Sequence, residues 1–180
     1  MSLFRLCLVV ITSTLFACAR TASPLEAAAR AVPQVQAPTV IYAVRHAEKE
    51  ESGDQNPVLT AQGQQRALAL AIVLHEVELS AVYASTYQRT QLTVAPTAAD
   101  HGLKLRTDIE GGQPLAAHIL ATHPHQATLV AGHSNTVPEL LTGLGLATPP
   151  TIEHGQFGDL WKVSIDAAGA VSVEASRFGD

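Results

Sequence analysis

The sequence predicts an α/β fold: a three-layer α/β/α sandwich around a mostly parallel sheet. Three observations carry this. Short, apolar, β-branched runs alternate with longer stretches of helical periodicity along residues 39–180. Those runs hold few polar positions, as strands buried on both faces do. The chain has 180 residues, 47% of them hydrophobic and 15% charged, enough for one core but not comfortably for two.

The elements follow in order. Thr39 to Val44 reads as a buried strand that ends at Arg45-His46. Thr60 opens a helix through Ala67, Leu70, Val73 and Leu74, with the threonine as its cap. Ala81 to Ala84 is a second strand, and Tyr87 to Ala99 a second helix that Pro96 should kink or divide. Leu103 to Arg106 is a short strand, and Pro114 to Thr122 a short helix with proline near its start. Ala127 to Ala131 is an apolar strand ending at Gly132-His133, and Asn135 to Leu144 a helix. Asp159 to Ile165 and Ala170 to Ala175 form a closing hairpin around Ala168-Gly169.

Ahead of this domain stands an address. Residues 1–18 carry a single charge, Arg5, then the apolar run Leu6 to Ile11, and end in Leu15-Phe16-Ala17-Cys18. A basic start, a short apolar stretch and small residues before a cut describe a secretory signal. The run is short of the roughly 20 apolar residues that span a bilayer. Leu15 to Cys18 resembles a bacterial lipobox with Phe16 bulkier than usual, so a lipid on Cys18, a cleaved soluble form and an uncleaved anchor all stay open. Export places the protein in the periplasm or on the membrane as a lipoprotein. Residues 19–38, punctuated by Pro24, Pro33 and Pro38, read as a tether. Cys7 and Cys18 are the two cysteines of the chain, so disulfide frameworks and cysteine zinc sites are excluded from the domain.

Net charge excludes another class. Eleven Lys and Arg stand against 16 Asp and Glu, a formal charge of −5, which disfavours nucleic-acid binding by broad basic attraction. Aromatics are 4%, too few for a reading built on base stacking.

The chemistry gathers at strand ends, where open α/β sheets place their ligands. Arg45-His46 and His133 each follow a strand, and Arg89 follows the second strand by a few residues. Two guanidiniums and two imidazoles suit a phosphate monoester. Arginine gives planar paired donors to phosphate oxygens, and a neutral imidazole keeps a nucleophilic lone pair. The amides of Ser134 and Asn135, at the start of the next helix, add candidate substrate-binding donors.

Four blocks resemble the signature of the histidine phosphatase superfamily, the phosphoglycerate-mutase-like proteins. They are Arg45-His46-Ala47-Glu48, Leu59 to Ala67, Val82 to Thr90, and Gly132 to Asn135; Gly158 to Val163 is like that family's last strand. The resemblance implies the phosphoglycerate-mutase-like sandwich. It also implies a metal-independent phosphatase with no cofactor, in which His46 becomes a transient phosphohistidine while Arg45, Arg89 and His133 hold the phosphoryl oxygens. Ala47 replaces a common glycine. Ser134 stands where one branch has an aspartate acid, which argues against that branch. In the other branch the acid is a carboxylate between the second arginine and the second histidine, and Asp108 and Glu110 are the candidates. Two alternatives remain: a non-catalytic anion-binding module on the same fold, and a phosphoglycerate mutase, disfavoured because mutases carry longer insertions. The expected partner is a small phosphomonoester, with no nucleic acid, no membrane contact beyond a lipid on Cys18, and a monomeric chain.

Other residues have plainer readings. Glu48 to Glu51 make a solvated loop, with Glu48 a partner for an arginine. His118, His123 and His125 lack zinc-helix spacing. His75 and His101 belong to the surface, and His154 to a loop. Trp161 belongs to the core.

Overall fold

The computed structural model describes residues 36–179. The address at 1–18 and all of the tether except 36–38 lie outside the described residues. Within them, strands β1 (Thr39–Arg45), β2 (Leu79–Ala84), β3 (Leu105–Arg106), β4 (Ala127–Gly132), β5 (Asp159–Ile165) and β6 (Val171–Arg177) form one sheet in the order β3-β2-β4-β1-β5-β6. The first four neighbours pair in parallel; β5 and β6 run antiparallel at the far edge. Helices α1 (Ala61–Leu74), α2 (Gln88–Asp100), α3 (Gln113–Thr122) and α4 (Thr136–Gly143) supply the outer layers.

Side-chain alternation along each strand divides the core in two. Ile41, Ala43, Ala81, Tyr83 and Val130 point to one face, where they pack with Leu115 and Ile119 of α3 and Leu140 and Leu141 of α4. Val44, Val82, Leu129 and Ala131 point to the other, with Leu70 and Leu74 of α1 and Val94 and Ala98 of α2. The molecule is thus the α/β/α sandwich expected from the sequence. Trp161 is buried in the first of these clusters.

Two local outcomes have clear causes. Helix α2 runs unbroken through Pro96, where the sequence suggested a kink or a division. The carbonyl that loses its donor belongs to Leu92, on the exposed side of the helix, where water can replace the missing N–H. At α1, Thr60 caps the helix by accepting from the Gly63 amide at 3.0 Å.

Gly63 has a second task. The Thr60 amide donates to the Glu48 carbonyl at 3.0 Å, which draws the first turn of α1 against the loop after β1. A Cβ on Gly63 would collide with that same Glu48 carbonyl. Helix propensity alone favours alanine over glycine by up to about 1 kcal/mol. The backbone clash opposes it, and overpacking of this kind costs about 1–3 kcal/mol. We expect Gly63→Ala to lower stability, read as a lower urea midpoint; a raised midpoint would show that α1 can retreat freely.

Candidate active site

Register brings the strand ends together. β1 and β4 pair so that Arg45 lies opposite Gly132, and the His46 amide donates to the Gly132 carbonyl at 3.0 Å. His46 and His133 therefore follow side by side, their ring centroids 5.5 Å apart and edge-on. Ala84 of β2 pairs with Ala131, so Ser85 leaves the sheet beside them. Gly132 is needed for this approach: a Cβ there would lie 2.8 Å from Thr136 Oγ1. That hydroxyl accepts from the His133 amide at 2.9 Å.

His46 is 4% exposed. Its Nδ1–H donates to the Ala47 carbonyl at 2.8 Å. A carbonyl cannot donate, so the hydrogen sits on Nδ1 and the neutral ring presents a bare Nε2. Burial, foremost, pushes the His46 pKa down to about 4; the Ala47 hydrogen bond opposes the fall, and Arg45, His133 and Arg89 add to it. His133 is also lowered to about 4, first by burial, then by Arg89 and Arg45. The two arginines contribute, but removal from water is the larger cause.

Arg45 does two jobs. Its Nη1 donates to the carbonyls of Glu153, His154 and Gln156 at 2.7, 2.8 and 3.0 Å, and its guanidinium lies 4.5 Å from the Phe157 ring centroid. Burial and the Arg89 charge hold its pKa below the ordinary value. Arg89 stacks on Tyr87 at 4.2 Å. The Nε atoms of both arginines are buried without a hydrogen-bond partner among the described residues. A buried donor left unpaired is costly, and two such cationic donors beside a nucleophilic imidazole suit an anion.

Several supporting residues escaped the sequence analysis. Thr93 accepts from the Ala47 amide at 2.9 Å and donates to the Arg89 carbonyl at 2.7 Å, joining the His46 loop to α2. Ser85 Oγ lies 2.9 Å from His133 Nε2. The Phe157 ring centroid stands 6.0 Å from that of His46, and Tyr87 5.4 Å from His133. Thr93 shares a buried face of α2 with Thr90 and Thr97; that spacing of short polar residues inside a helix was the available signal. Phe157 carried none.

Glu48 pairs with an arginine as expected, but the pair draws its side chain out of the solvated loop. It receives Arg66 Nε at 3.0 Å on each carboxylate oxygen and Arg66 Nη2 at 2.8 Å, while Arg66 Nη1 donates to the Phe178 carbonyl at 2.8 Å. Burial opposes ionisation of Glu48, yet the Arg66 hydrogen bonds hold its pKa below the usual carboxylate value. Ser134 is half-buried and Asn135 exposed at the start of α4, with no capping bond from the Asn135 side chain. Asp108 and Glu110 are both exposed, on the segment between β3 and α3. Glu110 sits between Ile109, packed on the first core cluster, and Gly111, which lies against Thr136. Neither carboxylate bonds to His46 or His133. Among the described residues, no three His, Cys, Asp or Glu side chains converge as metal ligands.

The two histidines make stability depend on pH. Unfolded histidine titrates near 6.5, whereas these titrate at about 4 in the fold. Between those values the unfolded chain binds more protons, so stability falls as pH drops from about 6.5 towards 4. Replacing both with asparagine should flatten that part of a Tm-against-pH curve. An unchanged slope would assign it to other groups.

The model of the Histidine phosphatase superfamily (branch 1) matches residues 41–110, the segment that carries Arg45, His46 and Arg89. No curated protein matches the sequence. Among solved structures, the chain is similar to protein histidine phosphatase SixA complexed with tungstate, at 19% identity and TM-score 0.63, covering 78% of this chain and 97% of that one. It is similar to mycobacterial glucosyl-3-phosphoglycerate phosphatase Rv2419c at 16% identity and TM-score 0.61, covering 79% and 99%. A putative phosphohistidine phosphatase SixA from Nakamurella multipartitia gives 20% identity and TM-score 0.61, covering 80% and 98%. At these identities the structural likenesses show the fold, the phosphoglycerate-mutase-like sandwich.

Proposed function

We propose that the chain is a histidine phosphatase: a metal-independent enzyme that hydrolyses small phosphate monoesters through a phosphohistidine on His46. The observation that carries this is the state of His46, buried, with its hydrogen on Nδ1, its Nε2 bare, and two arginines with unpaired Nε donors beside it. The named activities of the similar phosphatases support the reaction class.

In the first step Nε2 gives its lone pair to phosphorus, the P–O bond to the leaving group breaks, and the alkoxide takes a proton. Arg45, Arg89 and His133 carry the charge on the phosphoryl oxygens, which lie where buried donors are worth most. In the second step water attacks phosphorus and gives a proton back to the carboxylate that acted as the acid, the P–N bond breaks, the electron pair returns to Nε2, and phosphate leaves. Asp108 and Glu110 are the candidate proton sources. Ser134 and Asn135 would meet the substrate from the start of α4. The chain acts as a monomer exported beyond the inner membrane, held there by a lipid on Cys18 where that cysteine is modified.

One observation favours a second reading. No carboxylate contacts either histidine among the described residues, and a site without a positioned acid could bind phosphate without turning it over. Hydrolysis of an aryl phosphate in the presence of a chelator separates the two. Turnover with acid-labile, base-stable phosphate on the protein supports the phosphatase. Phosphate binding without turnover supports the binding module.

A further inference from the structure

Helix α2 begins without a side-chain cap of its own. Tyr87 stands at its N-cap position and makes no capping bond, so the first amides of the helix need partners from elsewhere. One partner comes from the loop after β1. The Gln88 amide donates to Asn56 Oδ1 at 2.8 Å, and Gln88 Nε2 donates to the Asn56 carbonyl at 3.1 Å. The Asn56 amide in turn donates to Asp54 Oδ1 at 2.9 Å. A main-chain N–H only donates and a main-chain carbonyl only accepts, so the direction of all three bonds is fixed. The same loop reaches α2 a second time, nearer His46: the Ala47 amide donates to Thr93 Oγ1, whose hydrogen goes to the Arg89 carbonyl. Arg89 is thus held on two sides, through the residue before it and through its own carbonyl, by the segment that carries His46.

We propose that Asn56 is a positioning residue for the anion site: it caps α2 from 32 residues upstream and fixes the turn that carries Arg89 against the loop that carries His46. Asn56 acts through Gln88 and touches no reacting group. The turn matters because the anion-binding donor stems from it. Arg89 Nε is buried without a hydrogen-bond partner among the described residues, and its guanidinium stacks on Tyr87, the N-cap residue itself. Both the guanidinium and the ring that supports it therefore move with the start of α2. Releasing that start lets the donor drift from the place where it meets a phosphoryl oxygen. For its consequence in turnover the inference rests on the phosphatase reading; for phosphate binding it rests on the placement of Arg89 alone.

The experiment is a double-mutant cycle on the full chain, read as kcat/KM for an aryl phosphate and as the Kd for inorganic phosphate. Asn56→Ala should lower kcat/KM about tenfold, short of the roughly hundredfold that a misplacement of about 1 Å can cost, and should weaken phosphate binding with it. Gln88→Pro removes the same bond from its other end. It deletes the donated hydrogen, yet proline suits the first helical position, and Tyr87 before it is already extended at φ −78° and ψ 137°. It should match Asn56→Ala, and the two together should be no worse than either alone. In an Arg89→Ala background, Asn56→Ala should change either readout by no more than about twofold, because the group it positions is gone. A cap with a merely structural role would repeat its whole loss there. Such a repeat, or wild-type values in both Asn56→Ala and Gln88→Pro, would overturn the proposal. A chain without turnover whose phosphate Kd shows the same coupling would instead sink the phosphatase reading and leave the positioning role standing.

Discussion

His46→Ala loses hydrolysis of an aryl phosphate by about ten-thousandfold or more, the scale seen when a nucleophile is removed from a concerted site, and no phosphate is trapped on the protein. The reasoning is geometric. His46 Nε2 is the bare nitrogen of a ring whose other nitrogen is fixed on the Ala47 carbonyl, and its pKa of about 4 keeps it neutral at physiological pH. His133 cannot take over, because its Nε2 is turned to Ser85. The fold should survive, since the backbone bond from the His46 amide to Gly132 does not involve the ring. Rapid quench and steady-state rates provide the check. Turnover within tenfold of wild type would mean that the water, not His46, attacks phosphorus.

Arg45→Ala and Arg89→Ala should both depress kcat/KM by about 10²–10³, the range for losing a donor aimed at developing charge. They should differ in what else they disturb. Arg45 Nη1 holds three carbonyls of the loop 153–156, and removing it leaves those acceptors without their charged donor. Hydrogen exchange at residues 153–158 should therefore quicken in Arg45→Ala. Arg89 stacks on Tyr87 and has no bond to that loop, so Arg89→Ala should leave exchange there unchanged. Arg45→Lys should resemble Arg45→Ala, since a single ammonium cannot serve the loop and a phosphoryl oxygen with the same spread of donors. Equal exchange in the two alanine variants would remove the loop from the role given to Arg45.

The parts of this site that were legible in the sequence are those set by local pattern. Apolar runs ending at Arg45-His46 and at Gly132-His133 marked both strand ends, and parallel register then placed them together. Thr60 was recognisable as a cap from its place before an apolar periodicity. What stayed hidden was set by partners far along the chain. Arg45 meets carbonyls more than 100 residues away, Arg66 joins Glu48 to Phe178, and nothing in the letters around Phe157 says that its ring will stand beside His46. The Ser85–Thr90 contact is local, but Ser85 also meets His133, which arrives from another strand. Pro96 misled because the expectation took the lost hydrogen bond as decisive, whereas exposure of the neighbouring turn made it tolerable.

The clasp between Arg45 and the loop before β5 also bears on how the molecule is made. Ribosomes deliver a chain from its N-terminus, so β1, with the arginine and the nucleophile, emerges first, while the carbonyls at 153–156 and the Phe178 carbonyl that receives Arg66 come last. Contacts of such sequence separation close slowly, because the loop entropy must be overcome before they return anything. The reactive centre is consequently the final part of the molecule to be assembled. A nascent chain ending between His133 and Glu153 carries every residue of the arginine–histidine quartet and yet lacks the carbonyls that hold Arg45, so the wall they form arrives only with the segment leading into the closing hairpin.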